Sequence, residues 1–420
     1  MKKKTNFRWV ILGLLFMATT ILYIDRSALG ILAPELQKSI GWTEAQYGYI
    51  NTVFMLSYAI CFIIMGRLID KIGTRKGYLL SIGIWSISTL GHVFARSWVG
   101  FAVARFSLAA GQSGNFPTAI KAVAEWFPKK DRALAVGIFN GGANMGTILA
   151  PLIIPALVIS FDSWKVGFLW TFPISIFWVL LWLKYFRRPE QSSYVSPEEL
   201  QYINPKDEQE TNTSKVGLGD ILKQRGAWAI AVAKFIADPI WWFYMLWGAK
   251  FLYAKFDMDL KQIGLPFFAI YLASWGIGIF LGWLSSKLME RGFSLNKGRK
   301  FGLLACALFS VPVMLVPHIS NVWVAVGLIA IAAGGHCGWS ANVFSLMSDI
   351  FPKKATGSVA GFGGFMGAIG GAIIAFTVGN ILQNVGTDGY AVPFAIAGSG
   401  YLVALLIIHI LVPKIKTVDI

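Results

Sequence analysis

Charge is scarce in this sequence. Asp, Glu, Lys and Arg make up 14% of its 420 residues, against roughly 25% in ordinary globular domains. Acids are scarcer still, 21 against 37 Lys and Arg, which leaves a net charge of +16. There are only three cysteines, Cys61, Cys306 and Cys337. They fit no metal or disulfide spacing and sit in apolar runs, so they read as buried thiols. No HExxH, GxSxG or other catalytic spacing occurs, which argues against an enzyme. No G-x-x-x-x-G-K-[ST] loop occurs, which argues against a nucleotide-driven pump. Nothing resembles the ring or filter sequence of a channel. No metal and no cofactor is expected.

What the chain has instead is apolar length. Hydrophobic residues make up 56% of it, with 17 Trp and 31 Phe. They fall into twelve runs near 7–29, 47–69, 77–95, 99–120, 133–156, 164–186, 226–250, 264–286, 300–317, 322–347, 356–382 and 390–412. Each is long enough, at 1.5 Å per residue, to cross a hydrocarbon core of roughly 30 Å. Lipid offers backbone groups no partner, so such runs must be helices. The short alternating strands of a membrane barrel are absent. The Lys2-Lys3-Lys4 start imitates a signal peptide, but no small-residue cleavage site follows and the run leads into Asp25-Arg26, so it reads as the first span.

The positive charge does not point to nucleic acid. It recurs in alternate loops: Arg8 before the first run, Arg67, Lys71, Arg75 and Lys76 after the second, Lys129, Lys130 and Arg132 after the fourth, and Arg187 and Arg188 after the sixth. Lys287, Arg291, Lys297, Arg299 and Lys300 follow the eighth, Lys353 and Lys354 the tenth, and Lys414 and Lys416 the last. By the positive-inside rule both termini are cytoplasmic.

The chain repeats itself. Phe127-Pro128-Lys129-Lys130 returns as Phe351-Pro352-Lys353-Lys354, 224 residues on, and at the same offset Gly137 meets Gly361 and Gly146 meets Gly370. A charged stretch separates the two copies. The expected organisation is a six-helix bundle over 1–188, a cytoplasmic linker over 189–225 and a second bundle over 226–420. Parallel six-helix repeats resemble the plan of the major facilitator superfamily, in which the substrate site lies midway through the bilayer between the halves.

The loop after the second run strengthens that resemblance. Gly66, Asp70, Gly73 and Arg75 stand as in the superfamily's signature G-x-x-x-D-x-x-G-x-R/K. Glycines there permit a tight turn and close helix contact, and Asp70 can bond a neighbouring helix end. In the second half the equivalent stretch starts at Gly282-Trp283-Leu284, with Ser286 in place of the acid. Small-xxx-small pairs such as Gly142/Gly146 and Gly367/Gly371 read as packing seams.

Charges inside the apolar runs are costly and usually face a cavity. The first run holds Asp25 and Arg26, the fourth Arg105, the seventh Lys234 and Asp238. Asp25 and Arg26 could neutralise each other, and Lys234 and Asp238 could form an i,i+4 pair. The other reading makes them site residues. Around them lie Tyr23, Tyr58, Gln112, Asn140, Asn144, Trp241, His336, Trp339 and Asn342. Arginine suits a carboxylate, amides and tyrosines suit hydroxyls, and a tryptophan face suits a sugar-like skeleton.

Tyr23–Arg26, Arg105 with Asn115-Phe116-Pro117-Thr118, and Trp126 through Gly137 resemble the anion:cation symporter branch of the superfamily over essentially the whole chain. Ala233–Pro239 with Trp241, His336 and Ser348-Asp349 resemble its hexuronate permeases. The resemblance implies import of a sugar acid with protons by alternating access, with a small organic anion, a proton and the bilayer as partners. It implies a monomer, spanning a bacterial inner membrane many times. It makes Asp25 the proton carrier, with Asp238 a second coupling acid. Arg26 and Arg105 become anion or gating residues, and Tyr23 and Tyr58 substrate contacts. Gln112 stands where proton-coupled relatives usually carry Glu, Lys234 where they often have Arg, and Asp238 where they often have Glu. Carriage of an aldonate, aldarate or aromatic acid, or facilitated exchange without protons, stays open.

Overall fold

The computed structural model describes residues 5–128, 130–203 and 218–418. Lys129 and the charged run 206–210 lie outside them. The described chain is helical throughout, and twelve crossings follow in order. Nine are single helices: Arg8–Ile40, Glu44–Ile72, Thr74–Phe94, Arg132–Phe161, Arg225–Phe256, Leu260–Glu290, Val322–Ile350, Lys353–Val385 and Ala391–Leu411. Three are interrupted. The fourth is Trp98–Gln112 then Asn115–Trp126, the sixth Val166–Leu169 then Thr171–Tyr185, and the ninth Leu295–Ser310 continued by a 3-10 turn Val311–His318. The surface is the reverse of a soluble protein's. Ile60, Ile87, Phe94, Val103 and Leu180 are each more than half exposed, a distribution that suits contact with lipid.

Several helices outrun their apolar runs. The first apolar run ends near residue 29, but its helix continues to Ile40; the seventh ends near residue 250, but its helix continues to Phe256. Hydropathy marks the length that lipid covers, whereas helical hydrogen bonding continues until something stops it. Asp257, in the left-handed region at φ 52°, ends the seventh. Asp259 then starts the eighth by a capping box with Gln262.

The break in the fourth crossing has a packing cause. A Cβ on Gly111 would lie 2.5 Å from the backbone nitrogen of Trp85, and one on Gly114 would lie 2.1 Å from Ser81 Oγ. Only glycine lets this crossing come so close to the third. Tyr78 then donates to Asn115 (2.6 Å), whose amide donates to Thr19 (3.2 Å).

Three of the four motif positions in the loop after the second helix have a local structural reason. Gly73 has φ 82°, a conformation only glycine adopts freely. Lys121 donates to Asp70 at 3.1 Å and to Ile69 O at 3.2 Å, fastening the fourth crossing to the second. Arg75 donates to Leu183 O at 2.6 Å. Gly66 sits inside the second helix with nothing within 4 Å of its would-be Cβ, so no close contact explains it.

The chain divides into two compact units. One comprises Met1–Leu32 and Ser57–Asn212, the other Ala33–Leu56 and Thr213–Ile420. The second unit thus includes the tip of the first helical hairpin. There Tyr47 donates to Leu246 O (2.6 Å), Lys250 pairs with Glu44 (2.7 Å), and a Cβ on Gly48 would lie 2.7 Å from Ala375 O.

In the first unit, part of the expected linker is bound in place. Helix Pro197–Ile203 brings Glu199, wholly buried, onto the start of the first helix. Its carboxylate accepts from Thr5 Oγ1 (2.5 Å), Phe7 N (2.9 Å), Arg8 N (3.1 Å) and the Arg8 guanidinium (3.2 Å). It caps that helix from outside the helix's own sequence. Burial pushes this carboxyl up, but the hydrogen bonds from Thr5, Arg8 and Phe7 and the Arg8 charge outweigh it, and its pKa lies below the ordinary glutamate value. A carboxyl lowered in the folded state stabilises above the unfolded pKa, and that stabilisation fades as pH falls through the folded value. Glu199→Gln should therefore cost about 2 kcal/mol at neutral pH. The gap from wild type should narrow on acidification below roughly pH 4.3. Melting curves of both proteins across pH check this; a gap independent of pH would count against the charged cap.

Candidate functional site

The first unit gathers its intramembrane charges in one place. Asp25 and Arg26, adjacent on the first helix, do not turn to each other. Asp25 Oδ1 accepts from Thr171 at 2.6 Å, while its Oδ2 is buried without a hydrogen bond of its own. Thr89 and the Arg105 charge act on the same carboxyl. Arg26 lies between two rings, 4.9 Å from the centroid of Tyr23 and 4.8 Å from that of Tyr58. Its Nε donates to Gln112 Oε1 at 3.1 Å, and Gln112 Nε2 donates to Leu22 O at 3.3 Å. Arg105, only 1% exposed, donates to the Arg26 carbonyl at 3.3 Å.

Burial divides these residues into two groups. Asp25, Arg26, Arg105 and Gln112 are buried, whereas Tyr23 and Tyr58 are half-buried. The tyrosines offer faces and the arginine lends charge between them. Asn140 and Asn144, also half-buried, have no hydrogen-bond partner among the described residues. Their helix approaches the first through Gly142 and Gly146, where an added Cβ would lie 2.4 Å from Phe16 O and 2.4 Å from Thr20 O.

The second unit holds the other candidates. Lys234 and Asp238 form the i,i+4 pair, 2.8 Å apart at closest, on the seventh helix. One turn on, Trp241 stacks on His336 of the tenth helix, with centroids 5.1 Å apart and planes 17° apart. Tyr271 meets Trp241 at 5.9 Å, and Tyr401 OH lies 2.9 Å from His336 Nδ1. Asn342 stands apart from this group. It lies six residues beyond His336, about 120° round the helix, where its amide donates to Gly338 O at 2.9 Å and approaches Cys306 Sγ at 3.8 Å.

A glycine seam makes room for the ion pair. A Cβ on Gly363 would meet Lys234 Cδ at 2.9 Å, one on Gly367 would meet Asp238 Oδ2 at 2.2 Å, and one on Gly370 would meet Phe235 O at 2.4 Å. The spacing of these glycines marks a seam in the sequence, but not that its neighbours are charged. Gly367→Ala should force Asp238 away from Lys234 and cost about 1–3 kcal/mol by overpacking. Thermal unfolding with uptake by the expressed variant tests it; wild-type values in both would show the carboxylate free to swing aside.

Residues 15–375 match the family model described as Major Facilitator Superfamily. The chain belongs to that superfamily. It is similar to the hexuronate transporter of Escherichia coli (strain K12), with 28% identity over 392 residues, covering 92% of this chain and 90% of the relative. It is similar to the galacturonate transporter of Dickeya chrysanthemi, with 31% identity over 338 residues, covering 79% of this chain and 97% of the relative. Its fold matches the crystal structure of a bacterial homolog of the human lysosomal transporter Spinster, at TM-score 0.78 and 17% identity, over 97% of each chain. A superfamily member with twelve apolar crossings is a multi-pass membrane protein, and the superfamily is one of transporters rather than enzymes.

Sequence reading missed four residues that complete these clusters: Thr171 and Thr89 around Asp25, and Tyr271 and Tyr401 around Trp241 and His336. Threonines and tyrosines are common in apolar helices, and only contact between distant helices singles these out.

Proposed function

We propose that this chain is a secondary transporter that imports a sugar acid of the hexuronate kind together with a proton. The observation that carries the reading is the seat of Arg26 between the half-buried faces of Tyr23 and Tyr58, steadied by Gln112. A guanidinium held in this way can receive a carboxylate, and aromatic faces suit the carbon skeleton of a sugar. Asn140 and Asn144 are amides with hydrogen-bonding capacity to spare, which suits a row of hydroxyls. The names of the two relatives support the same substrate class. Asp25 carries the proton, with Asp238 a second candidate. The protein works as a monomer in a bacterial cytoplasmic membrane, with both termini in the cytoplasm, a placement the alternate basic loops support.

Purified protein in liposomes, given an inward-acid gradient, should accumulate labelled glucuronate or galacturonate, and an uncoupler should collapse that accumulation. Accumulation of an aldonate, aldarate or aromatic acid instead would move the substrate within the same class. Uptake indifferent to the uncoupler would make the protein a facilitator or exchanger.

A further inference from the structure

We infer that Tyr401 fixes the tautomer and orientation of His336, so that the ring presents Nε2–H as a neutral hydrogen-bond donor to a substrate oxygen. Tyr401 is the positioning residue and His336 the substrate contact. The inference rests on the reading of this protein as a sugar-acid carrier only for the identity of that oxygen; the tautomer follows from local geometry alone.

The geometry is a short chain of contacts within the second unit. Tyr401 is fully buried, on the twelfth crossing, and its ring leans on Trp339 at 5.3 Å. Its hydroxyl has one hydrogen-bond partner among the described residues, His336 Nδ1 at 2.9 Å. Two arrangements could satisfy that distance. In one, the phenol donates its proton to Nδ1. In the other, Nδ1–H donates to the phenol oxygen, and the phenol's own O–H is left in the protein interior without an acceptor. A buried donor without an acceptor costs the full desolvation of that group. Phenol to Nδ1 is therefore the favoured arrangement, and a neutral imidazole that accepts at Nδ1 carries its proton on Nε2.

The ring plane is fixed from the other side. Trp241 stacks on it nearly face to face, and Tyr271 backs Trp241. The imidazole is thus held at one nitrogen and across one face, while 7% of the residue stays open. Nε2 has no hydrogen-bond partner among the described residues and is not sealed in. The charges that act on the ring are Asp238 and Lys234, which already engage each other. A donor beside the half-buried face of Trp241 is the arrangement a sugar hydroxyl or carboxylate oxygen needs. It asks the substrate for an acceptor at one position, which is how a transporter tells one sugar acid from another.

The test has a spectroscopic arm and a transport arm. The full-length protein, labelled with 15N-histidine and held in lipid nanodiscs, reports which imidazole nitrogen carries the proton, with His336 assigned from the His336→Gln spectrum. Wild type should show the Nε2–H tautomer, and Tyr401→Phe, which keeps the ring packing on Trp339, should lose that preference. In uptake, His336→Gln can place an amide N–H near the position of Nε2 and should keep KM within a few-fold of wild type. His336→Asn, whose amide reaches only to the Nδ1 position, should raise KM about tenfold or more. Tyr401→Phe should raise KM with little change in kcat. An Nδ1–H tautomer in wild type would overturn the inference. So would an unchanged tautomer and KM in Tyr401→Phe, or equal KM values for the Gln and Asn variants. If wild type carries no sugar acid at all, the proposed function falls, and the tautomer measurement alone still decides the role of Tyr401.

Discussion

Asp25→Asn is expected to abolish accumulation driven by a pH gradient while leaving exchange of substrate across the membrane intact. The reason lies in the hydroxyl of Thr171, which reaches two acceptors, Asp25 Oδ1 at 2.6 Å and Phe168 O at 3.1 Å. When Asp25 is ionised, Thr171 gives its one proton to the carboxylate. When Asp25 is protonated, the acid can donate to the Thr171 oxygen, and Thr171 turns its own proton to Phe168 O. Both states of the acid are hydrogen-bonded with the same heavy atoms in place, which is what a group that loads and releases a proton on every cycle requires. An asparagine amide at residue 25 can also donate to Thr171, so the variant imitates the carrier locked in its protonated form. Binding and alternation should survive, because neither needs the proton to leave. Each pH unit across the membrane is worth about 1.4 kcal/mol per proton, or about tenfold in accumulation. That component should vanish. Counterflow and gradient-driven uptake, measured in the same liposomes, check both halves of the claim. Gradient-driven accumulation that persists in the variant would shift proton carriage to Asp238 or another group.

Much of this fold was legible because lipid leaves few choices. A run of some twenty apolar residues can only be a helix, and twelve such runs with basic residues in alternate loops define the crossings. The repeat went further than topology. Gly146 and Gly370, matched at the 224-residue offset, each approach a backbone carbonyl to a would-be 2.4 Å, Thr20 O in the first half and Phe235 O in the second. The internal echo in the sequence is therefore an echo of one helix seam. What hydropathy could not see were the helix ends, since Ile40 and Phe256 lie beyond the apolar runs, and the break at Gly114, which the third crossing dictates.

The candidate residues were legible by their chemistry, and their partners were not. Isolated charges in apolar runs picked out Asp25, Arg26, Arg105, Lys234 and Asp238. The sequence left open whether the two adjacent or nearly adjacent pairs neutralise themselves. They do so in one case only: Lys234 and Asp238 pair, while Asp25 and Arg26 turn to Thr171 and Gln112. The difference is geometric. Neighbours i and i+4 share a helix face, whereas i and i+1 point about 100° apart. Glu199 was hidden for another reason. It sits in a charged stretch that reads as solvated linker, and only the free N–H groups at the start of the first helix, 191 and 192 residues away, give it partners.

Transport by the wild-type protein should respond to a pH gradient and hardly at all to membrane potential, and Gln112→Glu should create a potential-driven current. The hydrogen bonds around Gln112 supply the argument. Arg26 Nε is a donor and can face only the amide oxygen; Leu22 O is an acceptor and can face only the amide nitrogen. The orientation of the amide is therefore fixed by its neighbours. In that orientation Gln112 accepts from Arg26 and donates to Leu22 O, the pattern a protonated glutamic acid would make. Glutamine thus holds permanently the state that a titrating acid would hold only when loaded. One proton on Asp25 moving with one monoanion carries no net charge. Gln112→Glu keeps the shape and the bond from Arg26, but the acid can lose its proton and form an ion pair with Arg26 when the substrate has gone. Two protons would then accompany each monoanion, with one net positive charge inward. That charge is worth about 2.3 kcal/mol per 100 mV, roughly fifty-fold in accumulation. Electrophysiology on solid-supported membranes reads the difference directly. Saturating monoanion should give no sustained current in wild type and an inward positive current in Gln112→Glu. A sustained inward current in wild type would mean that a second acid, with Asp238 the nearest candidate by chemistry, already does what Gln112 cannot.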